Sequence, residues 1–372
     1  MSLRPASPEE AQAMVRANPR LLPRGGGSKP ALSTPPEAVP ALELSGLSGV
    51  LEYEPDEYTF TALAGTPVAT VENLLAQHGQ YLPFDPMRAQ EGATLGGTVA
   101  AGVSGPGRQR YGGVRDFLIG VRFIDGQGQL VHGGGKVVKN AAGFDLPKLM
   151  VGSLGRLGVL VELTFKVFPG PAAYTTLKLT YPHLEIALTD IYRLTTSSLE
   201  LHALDLEPAG VGVNNWTLWV RLGGLAEALP ARVERMREFL LAPKGGATVT
   251  EIIEAPAEGT LWQEVKTLAW VPRDWALVKI PLTPKHIPIL EAQLAKLEAR
   301  RRYSAGGNVV WLAWPVSENW AGKLDSLLTQ LDLSGLVLLG PPGVTRLGVN
   351  PGASLARRVK QALDPNGRFP DL

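Results

Sequence analysis

Apolar and polar positions alternate differently in the two halves of this chain. In the first half, short apolar runs are separated by glycine clusters. Residues 58–64 are rich in β-favouring side chains and predict a strand. Thr66 and Pro67 then suit the N-cap and first position of a helix, with Val68, Val71, Leu74 and Leu75 as its apolar face and Gly79 as its end. The run 117–124, the turn Asp125-Gly126 and Leu130-Val131 predict a hairpin. Leu163, Phe165 and Val167 alternate with Thr164 and Lys166, the period of a strand buried on one face.

The second half is more regular. Strand 175–181, helix 184–194, strands 199–206 and 216–222, helix 225–241 and strand 248–253 spell a β-α-β-β-α-β unit. Helix 287–301 and strand 309–314 belong to a similar second block, so an antiparallel sheet with helices on one side, repeated about twice, is expected. A last helix, 354–363, stops at Asp364-Pro365-Asn366-Gly367.

Composition sharpens this division. Four glycine groups (Gly25 to Gly27, Gly96-Gly97, Gly112-Gly113, Gly133 to Gly135) precede residue 158, whereas all eight tryptophans follow residue 215. Val167-Phe168-Pro169-Gly170-Pro171 reads as the linker between the two textures. A chain of 372 residues exceeds one ordinary core, and the expected division is 1–171, 172–345 and a C-terminal helix and tail, 346–372.

Charge and cysteine usage exclude several functions. A net charge of +1 gives no basic stripe for nucleic acid. With no cysteine there can be no disulfide, cysteinyl flavin, iron–sulfur cluster or thiolate zinc site on this chain. No apolar run approaches the ~20 residues of a membrane span, and no secretory apolar region opens the chain. The expectation is a cytoplasmic protein, with any attachment to the inner membrane made through partners. The five histidines are dispersed and form no metal-ligand spacing, and no G-x-S-x-G elbow is present. Metal ligands are therefore not expected, and no catalytic residue is identified.

The glycine loops carry the remaining chemistry. In Arg24-Gly25-Gly26-Gly27-Ser28-Lys29, backbone N–H groups can converge on an anion, with a hydroxyl and an ammonium beside them. Alone, the loop suits a flexible turn equally well, and it lacks the P-loop and GxGxxG spacings. From Gly92 to Gly107 nearly every residue is small, which suits a tightly packed turn, or a groove that something planar or phosphorylated fills. Gly152 to Leu160 repeats that composition ahead of a strand. Lys136 to Asp145 places two lysines, an asparagine and an aspartate in a glycine-rich setting, and its spacing fits a surface loop or a cationic patch.

Taken in order, these segments resemble the FAD-binding domain of the vanillyl-alcohol-oxidase type, the PCMH fold. The family's sequence of Gly-Gly-Gly-Ser/Thr, Pro-x-x-Pro, small-residue run, Tyr-Gly and a Gly-Ser-x-Gly-x-Leu-Gly strand entry is matched by Gly25 to Ser28, Pro83 to Pro86, Ala93 to Pro106, Tyr111-Gly112 and Gly152 to Leu160. Within that superfamily the chain is similar to the E-subunit family of bacterial glycolate oxidases, on Gly92 to Gly97, Val114 to Phe117, Val138 to Asp145, Leu149 to Ser153 and the tail Arg357 to Gly367. The usual closing Asn-Pro-Gly is replaced by Arg368-Phe369-Pro370.

The resemblance implies an α+β fold: a PCMH-type FAD-binding domain of two α/β subdomains, plus an α+β cap domain with an antiparallel sheet and covering helices. It implies non-covalent FAD, because the family's histidine or cysteine attachment points are absent. Gly25, Gly26, Gly27, Ser28 and Lys29 would lie near the pyrophosphate. Thr94, Gly97, Gly102, Ser104 and Gly105 would line the phosphate and ribityl groove, with Pro86 beside them. Gly158, Val159 and Leu160 would meet the flavin through their backbone.

The catalytic D subunit of that family carries a His-rich metal motif in its second domain, which this sequence lacks. The implied role is therefore an FAD-holding electron-transfer subunit in a heteromeric glycolate-oxidase-like complex, beside a catalytic FAD subunit and an iron–sulfur subunit. Two alternatives remain: a self-sufficient FAD-dependent oxidase or dehydrogenase, with Lys139, Asn140 and Arg346 as candidate polar groups, or a structural subunit.

Overall fold

The computed structural model describes residues 3–34, 39–135, 144–210, 215–241, 248–295 and 297–371. The chain forms two compact units, one made of residues 1–105, 112–170 and 350–372, the other of 106–111 and 171–349.

The first unit contains a five-stranded antiparallel sheet in the order Val50–Glu54, Thr59–Leu63, Val159–Lys166, Leu118–Ile124, Leu130–Gly134. Val159–Lys166 is central: Val159, Val161, Leu163 and Phe165 bury one face, as the alternation had suggested, and on the other face Leu160 and Thr164 are buried beside half-buried Glu162 and Lys166. Thr164, one of the two polar residues in that alternation, has its hydroxyl 2.9 Å from that of Thr61 across the ladder. Satisfied in this way, a hydroxyl tolerates burial. A separate parallel pair joins Leu22–Arg24 to Ala41–Glu43.

The core beneath these strands gathers Ala11, Val15, Leu21, Leu42, Leu47, Ile124, Val159 and Val161, and Phe369 from the tail closes it. The tail is tied down by polar contacts. Arg368 donates to the carbonyls of Val15 (2.9 Å) and Gly126 (2.8 Å). Lys360, buried on helix Ala353–Leu363, donates to the carbonyls of Arg156 and Phe369 and pairs with Asp364.

One helix starts differently from its sequence signal. Val68–Ala76 has Pro67 as its N-cap residue and no side-chain cap. Thr66 instead turns its hydroxyl to the carbonyls of Leu63 and Gly49 and accepts from the Gly49 N–H.

The second unit is built on a nine-stranded antiparallel sheet. Two β-α-β-β-α-β blocks lie in it as near mirror images in strand order. The first runs, across the sheet, Thr248–Ile253, Ala173–Tyr181, Trp216–Gly224, Ala203–Pro208. The second continues Arg300–Ser304, Val309–Pro315, Trp275–Pro281, Ser334–Leu339, with Arg346–Gly348 at the edge. Sequence had suggested a helix over 287–301. The helix is Ile287–Leu294, and Arg300–Ser304 is the strand at the seam between blocks.

One face of this sheet is apolar, with Leu177, Leu179, Leu204, Leu206, Leu218 and Val220 all buried. Helices Leu184–Thr195 and Leu229–Leu241 pack on the strands of the first block. The other face carries Thr176, Asp205, Trp219, Arg221, Arg302 and Trp311. Helix Ala257–Thr267 lies there, so helices are not confined to one side: Glu258 pairs with Arg221 at 2.7 Å, and the Trp262 indole donates to Thr176 at 2.8 Å.

At the seam the backbone ladder is sparse, with Leu206 opposite Tyr303 as its one registered pair among the described residues. Side chains do the joining. Arg302 donates to Asp205 at 2.7 Å and to Glu207 at 2.9 Å, and Ser304 donates to Asp205 at 2.9 Å. Burial pushes the Asp205 carboxyl up, against the pull of Arg302.

Among the described residues no helix is long and apolar enough to cross a membrane.

Candidate functional site

The clearest candidate lies in the first unit, where the loop after strand Leu22–Arg24 meets the start of helix Leu95–Ala101. Thr94 is that helix's N-cap, its hydroxyl accepting from the Gly97 N–H at 3.2 Å. Small side chains along the helix let the glycine loop press against it. A Cβ on Gly25 would stand 2.3 Å from the Thr94 Oγ1, and one on Gly26 would stand 1.8 Å from the Gly92 carbonyl oxygen. Gly27 has a φ of +70°, a region that favours glycine. The loop could not carry side chains at Gly25 or Gly26 without moving away.

A groove with a cavity volume of about 70 Å³ runs along this contact. Its walls are the run Pro23 to Lys29, Thr94 and Gly97, Ala100 and Ala101, and Leu154 with Gly155. Thus Gly25, Gly26, Gly27, Ser28, Lys29, Thr94 and Gly97 come together around one space.

The other residues named from sequence stand elsewhere. Gly102, at φ +61°, ends the helix against Gly152. The Ser104 hydroxyl accepts from the Val114 N–H at 2.9 Å, and Gly105 packs on the Asp85 backbone beside buried Pro86. Gly158 packs on the Ile124 carbonyl and the Phe123 ring, and Val159 and Leu160 pair with Ile124 and Phe123 in the sheet. Lys139 and Asn140 lie outside the described residues, as does most of their segment, 136–143. Arg346 is exposed on its edge strand.

The groove's electrostatics centre on Lys29. It is 6% exposed, and its ammonium makes no hydrogen bond or ion pair with a described residue. Burial, reinforced by the nearby Arg88 guanidinium and opposed by Glu91, brings its ammonium down to about 8. Arg88 is half-buried and is itself held below the ordinary arginine value by burial. Arg24, on the outer rim, is already paired with Glu43 at 3.5 Å. A buried ammonium without a counter-ion is costly, and an anion in the groove would relieve it.

Sequence reading missed Arg88 and Glu91. Their one signal is position, as charges directly ahead of the small-residue run. A second depressed lysine, Lys279, stands on strand Trp275–Pro281 of the second unit; burial and Arg108 bring it to about 8. Among the described residues, no cluster of three or more His, Asp or Glu side chains could hold a metal ion.

The sequence model of the FAD binding domain family matches residues 1–134, the part of the chain that carries the groove. Glycolate oxidase subunit GlcE of Escherichia coli is 34% identical over 84% of this chain and 81% of its own length. The chain belongs to the GlcE family.

Beyond that family, D-2-hydroxyglutarate dehydrogenase of Xanthomonas citri pv. viticola is 32% identical over 54% of this chain and 43% of its own length. D-lactate dehydrogenase of Archaeoglobus fulgidus is 29% identical over 61% and 52%. The chain thus spans about half of these two dehydrogenases. Among solved structures, alkyldihydroxyacetonephosphate synthase superposes with a TM-score of 0.73 over 98% of this chain and 74% of that one, at 16% identity. At that identity the likeness establishes the α+β fold: an FAD-binding domain joined to a large antiparallel sheet.

Proposed function

We propose that this GlcE-family chain is the FAD-holding electron-transfer subunit of a glycolate-oxidase-like complex. It works beside a catalytic FAD subunit and an iron–sulfur subunit. The observation that carries the flavin reading is Lys29: a buried ammonium with no ion pair to a described residue, in a groove walled by glycines that have no room for side chains. The residues present fit a diphosphate. Gly25, Gly26 and Gly27 let peptide N–H groups approach it, Ser28 adds a hydroxyl, Lys29 supplies charge, and Thr94 with Gly97 forms the opposite wall.

Pro86, Gly102, Ser104, Gly105, Gly158, Val159 and Leu160 are assigned to the ribityl and flavin end on family likeness. Nothing in the chain supplies a cysteine or a flavin-linking histidine near the loop, so the cofactor is held non-covalently.

When bound, FAD accepts two electrons and releases them singly to a one-electron carrier. This chain's own residues bind, neutralise and orient it. With no cysteine the chain has no thiolate ligands for an iron–sulfur cluster, so onward transfer falls to a partner. Removing hydride from a 2-hydroxy acid needs a base for the hydroxyl proton and cations for the carboxylate. The His-rich metal motif of the catalytic D subunit, which serves that chemistry, is absent from this sequence, and the catalytic step is assigned to the partner flavoprotein.

The test is purification of the chain alone. Denaturation should release FAD, identified by chromatography, and glycolate should leave the bound flavin oxidised. A preparation that neither carries nor takes up FAD would remove the flavin reading; prompt bleaching by glycolate would remove the division of labour.

A further inference from the structure

The second unit holds a cavity of about 280 Å³ that neither the glycine loops nor the family's motifs account for. It lies where the chain leaves helix Leu184–Thr195, against the first half of helix Leu229–Leu241 and the end of strand Trp216–Gly224. Its floor is apolar: Leu222 and Met236 are each 1% exposed, and half-buried Leu199 adds to it. Its polar groups are less deeply buried. Arg232, Arg235 and Met236 stand at i, i+3 and i+4 of one helix and so share a face. Ser198 and Glu200 complete the lining from a loop that Ser197 holds in place. The Ser197 hydroxyl donates to the Leu194 carbonyl at 2.8 Å and accepts from the Leu199 N–H at 3.1 Å.

The charges around this cavity are unequally engaged. Arg232 spans strand and loop, donating to the carbonyls of Gly223 at 2.7 Å and Glu200 at 2.8 Å. These bonds fix its guanidinium and use two of its five N–H donors. Gly224 leaves it room, since a Cβ there would stand 2.9 Å from the Arg232 Nη1. Glu200, the one acid among the described lining residues, is engaged by Arg110 at 3.0 Å. The exposed guanidinium of Arg235 makes no hydrogen bond or ion pair with a described residue.

We propose that this cavity binds a small amphipathic monocarboxylate. Its carboxylate meets Arg235 and the remaining donors of Arg232, and its hydrocarbon body covers Leu222 and Met236. A volume just under the ~300–1,000 Å³ of drug-sized ligand sites suits such a molecule. The guanidinium fork matches a carboxylate, and the Ser198 hydroxyl adds a donor. Glu200 at the rim disfavours a dianion such as phosphate, and the flexible Met236 adapts to the shape of the body. The site goes beyond the flavin reading and shares no residue with the groove around Lys29.

The full chain, with excess FAD to fill the Lys29 groove, would be titrated by calorimetry at pH 7. The probes are straight-chain carboxylates from propanoate to octanoate, their amides, and inorganic phosphate. At least one carboxylate should bind saturably, one per chain, with its amide and phosphate each about tenfold weaker or more. Arg235→Gln should weaken that carboxylate about tenfold, and Arg235→Lys should recover part of the loss. Ser198→Phe, at an exposed position, should fill the cavity mouth and abolish binding. Circular dichroism and FAD content should match the parent in all three variants.

No saturable carboxylate binding at millimolar concentration overturns the proposal, as does binding that Arg235→Gln and Ser198→Phe leave unchanged. An amide that binds as well as its acid, or phosphate that binds as tightly, overturns the assigned ligand class. Failure of the flavin reading shows separately, as a chain that takes up no FAD.

Discussion

Replacing Lys29 by methionine separates folding from cofactor binding. The ammonium has an ordinary value of 10.5 and stands at about 8 when buried in the folded chain. Below pH 8 both the folded and unfolded chains hold the proton, and the folded chain bears the full penalty of the buried charge. That gap corresponds to about 3 kcal/mol, at about 1.4 kcal/mol per pH unit. Between pH 8 and 10.5 the folded chain has released its proton while the unfolded chain keeps it, so the penalty fades as pH rises. Above that range it is gone.

Lys29→Met keeps the aliphatic stem and deletes the charge. The flavin-free variant should therefore melt higher than the parent at pH 7, by roughly 6–12 °C for a unit of this size. The difference should shrink towards zero near pH 10. In the same variant FAD binding should weaken more than tenfold, the signature of a site that gives up stability for function. Thermal melts by circular dichroism at the two pH values, with a flavin fluorescence titration, measure both effects. A lower melting temperature at pH 7, or an equal gain at both pH values, would refute an uncompensated buried charge.

Three further outcomes follow from the same structure. FAD affinity of the parent chain should fall as pH rises above 8, because Lys29 loses the proton that the diphosphate needs; a flat profile from pH 7 to 10 would contradict this. Gly26→Ala should abolish FAD retention, since its Cβ would meet the Gly92 carbonyl at 1.8 Å, and flavin content after gel filtration reads this directly. Arg302→Met should cost about 3–5 kcal/mol in urea unfolding by stranding the Asp205 and Glu207 carboxylates, more than Asp205→Asn costs.

Much of this architecture was legible in the sequence because its rules are local. The first β-α-β-β-α-β block emerged from periodicity, and the glycine loops emerged from composition and order. What stayed hidden depends on burial of charge. Arg302 reads as a surface residue, so the helix expected from Ile287 runs right up to it, ending at Arg301; in the fold Arg302 sits 4% exposed between two carboxylates. Thr66 carries a capping signal and spends its hydroxyl on carbonyls across the chain instead. At the groove, the sequence named Lys29 but not the depth to which it is buried.

The seam in the nine-stranded sheet has a consequence for how the second unit could be divided. Cut in the connection 268–274, each half would end in a raw strand edge, Ala203–Pro208 on one piece and Arg300–Ser304 on the other. Such edges ordinarily recruit any strand they meet. Here each edge carries its own address: acids at Asp205 and Glu207 on one, and the guanidinium of Arg302 on the other. An acidic edge cannot pair comfortably with a copy of itself, so the pieces would select each other over their own kind. The unit is thus suited to reassembly from two separately made fragments.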